Sequence, residues 1–426
     1  MSTINQREQR IIETVNSLRD DIIDFACRLV AEPSTLEKEF SVINVMETEL
    51  RKLSFEPVRI PINPSELSKH PGFAPVPWEY NNRENIIGLR NASGHGGRSV
   101  LFNGHLDVVS PEPIDFWDLD PFKPVLLGGW LYGRGAGDMK AGIAAMTYAV
   151  HAVDKSGFGF NAPVTIEGVI EEECSGNGAL ACLNAGYDAE AVLIPEPFGP
   201  TILTSQVGVL WFKVSVRGVA CHVQSTSSGT NSIEKSILLM SALRRLEAEL
   251  NDPEMIPKPY RDIEHPLNLN IGIFQGGDWP STVPASAEFH CRMSYFPDTS
   301  FKEISKRIMQ TVKNTAEADP WLRENTPKID FYGFRSDGHS LSRNIPALRT
   351  LSQCHKELTG QDVTEYISTC TTDVRAFHFF GKGEATCYGP VAENIHGANE
   401  RVNLESVIHV ARTYALFLSR WCGLTE

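Results

Sequence analysis

The sequence predicts an α/β protein in which a largely parallel sheet covered by helices forms the main domain and a smaller domain is inserted into it. Three observations lead to this prediction. Between residues 99 and 197, short apolar runs alternate with segments that carry apolar residues at helical spacing. Between residues 207 and 335 the order of predicted elements becomes βαββαβ. From about residue 345 the first kind of pattern resumes and continues to the end of the chain.

The N-terminal segment is predicted to form an amphipathic helix. Its apolar residues recur at helical spacing with charged residues between them: Ile11, Val15, Leu18, Ile22, Phe25 and Leu29. The segment does not have the pattern of a signal peptide. No apolar run approaches the roughly 20 residues that span a bilayer. Residues 60–97, which are rich in Pro, Asn and Gly, are predicted to form surface loops.

The main domain is predicted from an alternation of strands and helices. The predicted strands are 99–109 ("SVLFNGHLDVV"), 162–172 ("APVTIEGVIEE") and 189–197 ("AEAVLIPEP"). The predicted helices between and before them are 138–157 and 176–186. Strands that alternate with helices in this way are typical of a parallel sheet with helices on its faces.

The inserted domain is predicted to be a ferredoxin-like open sheet with two helices on one face. Residues 207–220 alternate between apolar and polar, as a half-exposed strand does. The further predicted elements are the helices 231–250 and 300–318 and the strands 266–277, 285–296 and 327–334. We therefore predict one domain from residues 1–206 and 336–426 and a second from residues 207–335.

Composition and charge exclude several classes of partner. The 426-residue chain has a net charge of −14, which disfavours binding to nucleic acid or to an anionic membrane. Its nine cysteines are scattered and include no C-x-x-C pair, a pattern that indicates reduced thiols and predicts a cytoplasmic protein.

Acidic residues and histidines lie at the carboxyl ends of the predicted parallel strands, at one helix start and in one C-terminal loop. They are His105 and Asp107 in "GHLDVV", Glu171, Glu172 and Glu173 in "VIEEECSG", Glu196 in "IPEP", Asp138 at a helix start and His396 in a C-terminal loop. In open α/β sheets the carboxyl ends of the strands meet at one edge, where ligands bind. Carboxylates gathered there repel one another unless a cation lies between them, so the pattern favours a metal site.

"GRGAGDMKAG" around Asp138 could instead be a phosphate-binding loop. It has neither the P-loop spacing nor the G-x-G-x-x-G pattern, and Asp138 would repel a phosphate at that helix N-terminus. The glycines are better explained by a tight turn that brings Asp138 towards the other acidic residues.

Five motifs in order resemble those of a metallopeptidase family: "GHLDVV", "DPFKPVLLGGWLYGRGAGDMKAG", "EEECSGNGA", "IPEPFG" and "HGANERV". This is the dinuclear zinc family of acetylornithine deacetylase, succinyl-diaminopimelate desuccinylase, aminoacylase and carboxypeptidase G. The resemblance runs from about residue 20 to the end. It implies a catalytic metal-binding domain and an inserted lid and dimerisation domain.

The resemblance also implies the roles of the acidic residues. His105, Asp138 and Glu196 resemble the ligands of one metal, and Asp138, Glu173 and His396 those of a second. Glu172 resembles the general base that activates a water between the two ions, and Asp107 the residue that orients His105. Glu171 is given a structural hydrogen bond and no catalytic role.

The inserted domain is implied to supply residues that bind substrate. His222 in "GVACHVQSTSSG" resembles a histidine that stabilises the oxyanion in the partner subunit, although the family has Ser-His-Ala-Gly there and this chain has "CHVQ". Arg292 resembles the arginine that pairs with the substrate carboxylate. Asn268 resembles an asparagine that assists it, and Asn270 is an alternative. "TTDVR" (371–375) is interpreted as structural.

The family resemblance implies a homodimeric enzyme that hydrolyses the amide bond of an N-acyl amino acid. Its metals are expected to be zinc, with cobalt or manganese as alternatives, because mixed histidine and carboxylate ligation suits all three. Two alternatives stay open. One is a dipeptidase, carboxypeptidase or hydrolase of another C–N bond on the same scaffold. The other is a metal-free binding relative, which would be expected to lack ligands that this sequence retains.

Overall fold

The computed structural model describes residues 4–426. Its α-helices are α1 (Gln6–Ser17), α2 (Arg19–Val30), α3 (Phe40–Lys52), α4 (Pro64–Leu67), α5 (Ala141–Lys155), α6 (Asn177–Asn184), α7 (Ser232–Leu250), α8 (Phe301–Ala318), α9 (Pro320–Glu324), α10 (Pro346–Thr359), α11 (Val374–Phe380) and α12 (Leu404–Trp421). Across the described residues, no helix is both long and apolar enough to cross a membrane.

Strands occur along the whole chain. They are β1 (Glu56–Pro61), β2 (Glu84–Arg90), β3 (Val100–His105), β4 (Val125–Leu127), β5 (Trp130–Tyr132), β6 (Gly159–Phe160), β7 (Val164–Val169), β8 (Ala191–Ile194), β9 (Ile202–Gln206), β10 (Gly208–Arg217), β11 (Leu269–Gly276), β12 (Ser286–Tyr295), β13 (Lys328–Ser336), β14 (His339–Ser340), β15 (Glu365–Ser368), β16 (Glu384–Cys387), β17 (Ala392–Glu393), β18 (Arg401–Asn403) and β19 (Leu424–Thr425).

The main sheet has six strands in the order β1–β2–β7–β3–β8–β16. Strands β7, β3, β8 and β16 are parallel to one another, while β2 is antiparallel to β7 and β1 is antiparallel to β2. Helices cover both faces, since the neighbours Leu101 and Phe102 of β3 belong to different hydrophobic cores. The predicted helix-covered, largely parallel sheet is confirmed.

Helix α5, which begins three residues after Asp138, packs directly on β3 and β7. Many of its residues are small, and all of residues 141–150 are buried. A Cβ atom on Gly104 of β3 would lie 2.7 Å from Ile143 Cγ1 of α5. Glycine is therefore required at this point for the helix to approach the strand so closely.

The inserted sheet is antiparallel, with the strand order β11–β12–β10–β13. Helices α7 and α8 pack on one of its faces, and their apolar residues share a core with the sheet, for example Leu243 and Ile308 against Phe212 and Phe289. The predicted βαββαβ order is confirmed.

Two local predictions are wrong. The N-terminal amphipathic segment forms two helices, α1 and α2, because Leu18 leaves the helical conformation (φ −93°, ψ 7°) while its side chain stays buried. The apolar periodicity continues across this break because the second helix begins at once. In addition, the segment 60–97, predicted as surface loops, contains α4 and the strand β2, which pairs with β1 and β7 in the main sheet.

Candidate metal centre

The predicted acidic residues meet at one edge of the main sheet. His105 is the last residue of β3, Glu172 and Glu173 follow β7, and Glu196 follows β8. Because β3, β7 and β8 are parallel, their carboxyl ends lie on the same edge. Except for His105, these residues line a cleft of about 570 Å³, which Asp138 and His396 also line.

Asp138 lies between the two histidines. His105 Nε2 is 3.0 Å from Asp138 Oδ1, and His396 Nε2 is 3.5 Å from Asp138 Oδ2. His396 Nε2 is also 3.1 Å from Glu173 Oε1. One ligand atom each from His105, Asp138 and Glu173 lies within 4.8 Å of the others. An aspartate whose two oxygens face two different histidines has the arrangement that a bridging ligand needs.

The cluster carries more buried negative charge than its own cations offset. Burial raises the pKa of Glu196 well above its ordinary value, and the neighbouring Asp138 raises it further. Burial and then the charge of Asp373 do the same to the pKa of Glu172, whose buried Oε1 has no hydrogen-bond partner among the described residues. Carboxylates and imidazoles are ligands of divalent cations, and such cations would remove this repulsion. The residues present therefore fit a metal site.

Asp107 lies beside His105, but its carboxylate does not hold the imidazole. His105 Nδ1 is 2.9 Å from the backbone oxygen of Asp107 and 3.7 Å from its Oδ1. The Asp107 carboxylate instead accepts the backbone N–H groups of Glu172 (3.4 Å) and Glu173 (3.2 Å). Residues two apart on a strand share a face, but β3 ends at His105, so this alternation stops before Asp107.

Glu171 has the structural role predicted for it. Its fully buried carboxylate accepts hydrogen bonds from Trp78 Nε1 (2.8 Å), Tyr80 Oη (2.8 Å) and Ser175 Oγ. It also pairs with Arg83, whose Nη1 is 2.6 Å away. Since Glu171 has a positive φ of 74°, these contacts hold the chain at the sharp turn that aims Glu172 and Glu173 into the cleft.

A buried ion pair, Arg134–Glu400, joins the two loops that carry Asp138 and His396. Arg134 Nη1 is 2.5 Å from Glu400 Oε2, and the two side chains are 2% and 0% exposed. Glu400 accepts the backbone N–H groups of Gly137 and Asp138 at 2.9 and 3.0 Å. Arg134 Nη2 donates to the backbone oxygen of His396 at 3.2 Å. Sequence reasoning missed both residues, although each lies inside a motif it had singled out.

Asp373 and Arg375 lie behind Glu172. Arg375 Nη1 is 3.8 Å from Glu172 Oε1, and Arg375 Nη2 is 3.6 Å from Asp373 Oδ1. Among residues 4–426 neither Asp373 oxygen has a hydrogen-bond partner, and burial raises the pKa of this carboxyl. The two residues form the inner wall behind Glu172, in keeping with the structural interpretation of "TTDVR".

The inserted domain supplies the opposite wall of the cleft. Arg292 of β12 lines it, and so does Asn270 of β11, which is paired directly with Arg292. Asn268 precedes β11 and is not among the lining residues. His222 is exposed on the inserted domain and also lies outside the lining. The structure therefore brings Arg292 to the acidic cluster within one chain, but not Asn268 or His222.

Comparison with curated proteins finds distant relatives that cover most of the chain. An N-formyl-4-amino-5-aminomethyl-2-methylpyrimidine deformylase from Halalkalibacterium halodurans is 25% identical over 371 residues, which cover 82% of this chain and 86% of the relative. A succinyl-diaminopimelate desuccinylase from Wolinella succinogenes is 27% identical over 382 residues, which cover 86% and 96%.

Solved structures of similar fold include two dipeptidases. One, from Saccharomyces cerevisiae, has a TM-score of 0.79 at 15% sequence identity, and the match covers 98% of this chain and 99% of that structure. Human carnosine dipeptidase 1 has a TM-score of 0.75 at 16% identity, covering 97% and 99%. At these identities the likeness concerns the fold.

A family model assigns the chain directly. The model of peptidase family M20/M25/M40 matches residues 101–420, which include the strand ends, the inserted sheet and the His396 loop. This match confirms the family resemblance drawn from the five motifs. The chain therefore belongs to peptidase family M20/M25/M40 and is a metal-dependent hydrolase of amide bonds.

Proposed function

We propose that the protein hydrolyses the amide bond of N-acyl amino acids in a two-metal site. The observation that carries this proposal is the position of Arg292 in the cleft without an acidic partner in the described part of the chain. Arg292 faces the acidic cleft and, among residues 4–426, has no carboxylate within ion-pair distance. Burial lowers the pKa of its guanidinium because the positive charge loses contact with water, and a bound anion would offset that loss. A carboxylate of the substrate would supply that charge in a bidentate pair. The relationship to a desuccinylase supports an acyl amide as the second part of the substrate.

His105, Asp138 and Glu196 would hold one metal, and Asp138, Glu173 and His396 the second. Bound zinc, or cobalt or manganese in its place, would acidify a water and polarise the amide carbonyl. The chain's contribution is to fix these donors at the sheet edge. Asp107 holds the Glu172–Glu173 turn through two backbone N–H groups, and the Asp107 backbone oxygen orients His105.

Glu172 is the proposed general base. Its side chain lines the cleft beside Glu173 and Glu196, where it can accept a proton from the attacking water. It would then give this proton to the leaving amine. We expect Glu172→Gln to lower kcat by about 10²- to 10⁴-fold, the usual contribution of a positioned acid–base group, with metal content unchanged. Glu167→Gln is the matched control, because Glu167 is a buried glutamate of β7 that does not line the cleft.

The substrate class is tested by comparing N-acetyl, N-succinyl and N-aryl amino acids with dipeptides on the metal-loaded protein. Hydrolysis of the acyl amino acids with an Arg292-dependent KM is the expected result. Faster hydrolysis of dipeptides would favour the alternative, a dipeptidase or carboxypeptidase. No hydrolysis of either class before or after metal loading would contradict both.

Residues 207–335 are the proposed lid and dimerisation domain, and residues 1–206 and 336–426 the catalytic domain. In the inserted sheet β11 is an edge strand with exposed Ile273 and Phe274, and α7 exposes Ile237 and Leu238. Apolar residues on an edge strand favour pairing with a second copy. His222 Nδ1 accepts the Gln224 N–H, which leaves its Nε2 free to reach a partner's cleft.

Complementation tests this arrangement. A His222→Ala protein mixed with a Glu172→Gln protein is expected to regain up to about a quarter of wild-type activity if active sites are shared. This fraction follows from random pairing of the two variants, in which half of the dimers are mixed and each has one intact site. Mixed dimers without activity would contradict the role of His222.

The proposed location is the cytoplasm. All nine cysteines are free, and several lie deep in the core, among them Cys182 and Cys387. Free thiols are stable in a reducing compartment.

A further inference from the structure

The wall of the cleft that surrounds Arg292 is aromatic. Trp211 of β10 and Tyr332 and Phe334 of β13 all line the cleft. The Trp211 ring packs edge-to-face against Tyr332 and Phe334, with centroid separations of 5.9 and 5.2 Å. Aromatic rings in this arrangement bind a further ring better than area alone predicts.

This wall is held in place by contacts behind it. Tyr332 Oη is 2.6 Å from His290 Nδ1, and His290 Nε2 is 3.1 Å from Glu288 Oε1. On the other side the guanidinium of Arg375 lies 4.8 Å from the ring centre of Phe334. Side chains fixed in this way lose little conformational freedom when a ligand binds, so their contact area contributes to affinity more fully.

Arg292 and Trp211 are neighbours across one strand pair. They are directly opposite in the antiparallel ladder of β10 and β12. Opposed residues share a face, and their Cβ atoms lie about 4.5–5.5 Å apart. An anion on Arg292 would therefore lie within a few ångströms of an aromatic surface.

We infer that the preferred substrate is an N-acylated aromatic amino acid, with its carboxylate on Arg292 and its side-chain ring against Trp211. This inference rests on the proposed function and adds the amino-acid class to it. In such a molecule the carboxylate and the ring-bearing carbon branch from one Cα atom, which matches the spacing of Arg292 and Trp211. An alanine side chain would leave the aromatic wall exposed to water.

Turnover of three substrates tests the inference: N-acetylphenylalanine, N-acetylcyclohexylalanine and N-acetylalanine. We expect kcat/KM to fall in that order, by about 10- to 100-fold from the first to the last, the range that burial of a large apolar side chain supports. In Trp211→Ala the loss for N-acetylphenylalanine should exceed the loss for N-acetylalanine at least about tenfold. Trp279→Ala is the matched control, since Trp279 is a 67% exposed tryptophan of the inserted domain outside the cleft lining. Equal rates for phenylalanine and alanine substrates would overturn the inference and leave the proposed function standing.

Binding of 3-phenylpropanoate, measured by calorimetry, separates the two proposals. It carries a carboxylate and a ring but no amide, so its binding does not depend on hydrolysis. Binding that weakens in both Arg292→Ala and Trp211→Ala, and that exceeds binding of 3-cyclohexylpropanoate, supports the aromatic site even if no amide is cleaved. Binding that Trp211→Ala leaves unchanged overturns it.

Discussion

Replacement of Arg134 by methionine is the most direct test of how the metal ligands are held. The substitution keeps the length of the side chain but removes its charge, and Glu400 then stays buried without its counter-ion. Loss of one partner of a buried ion pair costs about 3–5 kcal/mol. Glu400 keeps the N–H donors of Gly135, Gly137 and Asp138, so we expect the lower end, about 3 kcal/mol.

Metal affinity should fall as well, because Arg134 anchors the His396 loop through two backbone oxygens and Glu400 anchors the Asp138 loop. Replacing a residue that orients metal ligands commonly weakens binding about 10- to 100-fold. Urea unfolding of the metal-free protein measures the first effect, and competition with a chelator measures the second.

Arg420→Met separates positioning from general stability. Arg420 of α12 pairs with Glu8 of α1 and Glu357 of α10, and its side chain is 15% exposed. We expect this variant to lose stability while its metal affinity stays within about twofold of wild type, since these helices hold no metal ligand. The reasoning would be refuted if Arg134→Met remained folded and bound metal as tightly as wild type.

Two further predictions concern the metal and a buried glutamate. Removal of metal by chelation should abolish hydrolysis and lower the unfolding temperature. Zinc at about 100 times its Kd should add about 2.7 kcal/mol per site to the free energy of unfolding. An unfolding temperature that neither treatment changes would contradict the site. Burial raises the pKa of Glu167 to about 8 from 4.5, so between these pH values the folded state keeps a proton that the unfolded state has lost, and stability falls as pH rises. In Glu167→Gln this dependence should disappear, which urea midpoints at pH 5 and pH 8 will show; midpoints that diverge as far as in wild type would contradict the assignment.

The parts of the site that follow sheet topology could be predicted from the sequence. Once β3, β7 and β8 are recognised as parallel, His105, Glu173 and Glu196 must share an edge, and no tertiary detail is needed. The inserted sheet could be predicted equally well, because apolar and polar residues alternate along its strands and its helices have apolar stripes. Asp138 follows no predicted strand, so its place in the site was inferred from the glycine-rich turn before it, and its role as a ligand of both metals came only from the family resemblance.

The parts that depend on contacts between distant segments could not be predicted. Arg134 and Glu400 are 266 residues apart, and neither has a local pattern that distinguishes a buried ion pair from two surface charges. The orientation of the Asp107 carboxylate depends on β3 ending at His105, which alternation alone does not reveal. Asn268 and Asn270 are two residues apart and would share a strand face, so alternation does not choose between them. The choice depends on where β11 begins: it starts at Leu269 and pairs Asn270 with Arg292.

The two halves of the cleft belong to separate hydrophobic cores, so contacts between the two domains fix their spacing. The loop 369–372, between β15 and α11 of the main domain, makes such a contact. Its Thr369 backbone oxygen accepts Arg292 Nη2 at 3.2 Å, and its Thr372 Oγ1 donates to Gln206 Oε1 at 2.8 Å, just before β10 begins. In the same loop, Thr371 Oγ1 accepts a hydrogen bond from Arg375 Nη1 at 3.2 Å. The arginine proposed to bind the substrate carboxylate and the arginine behind Glu172 are therefore held by one short stretch of chain, which sets the distance between the bound carboxylate and the base.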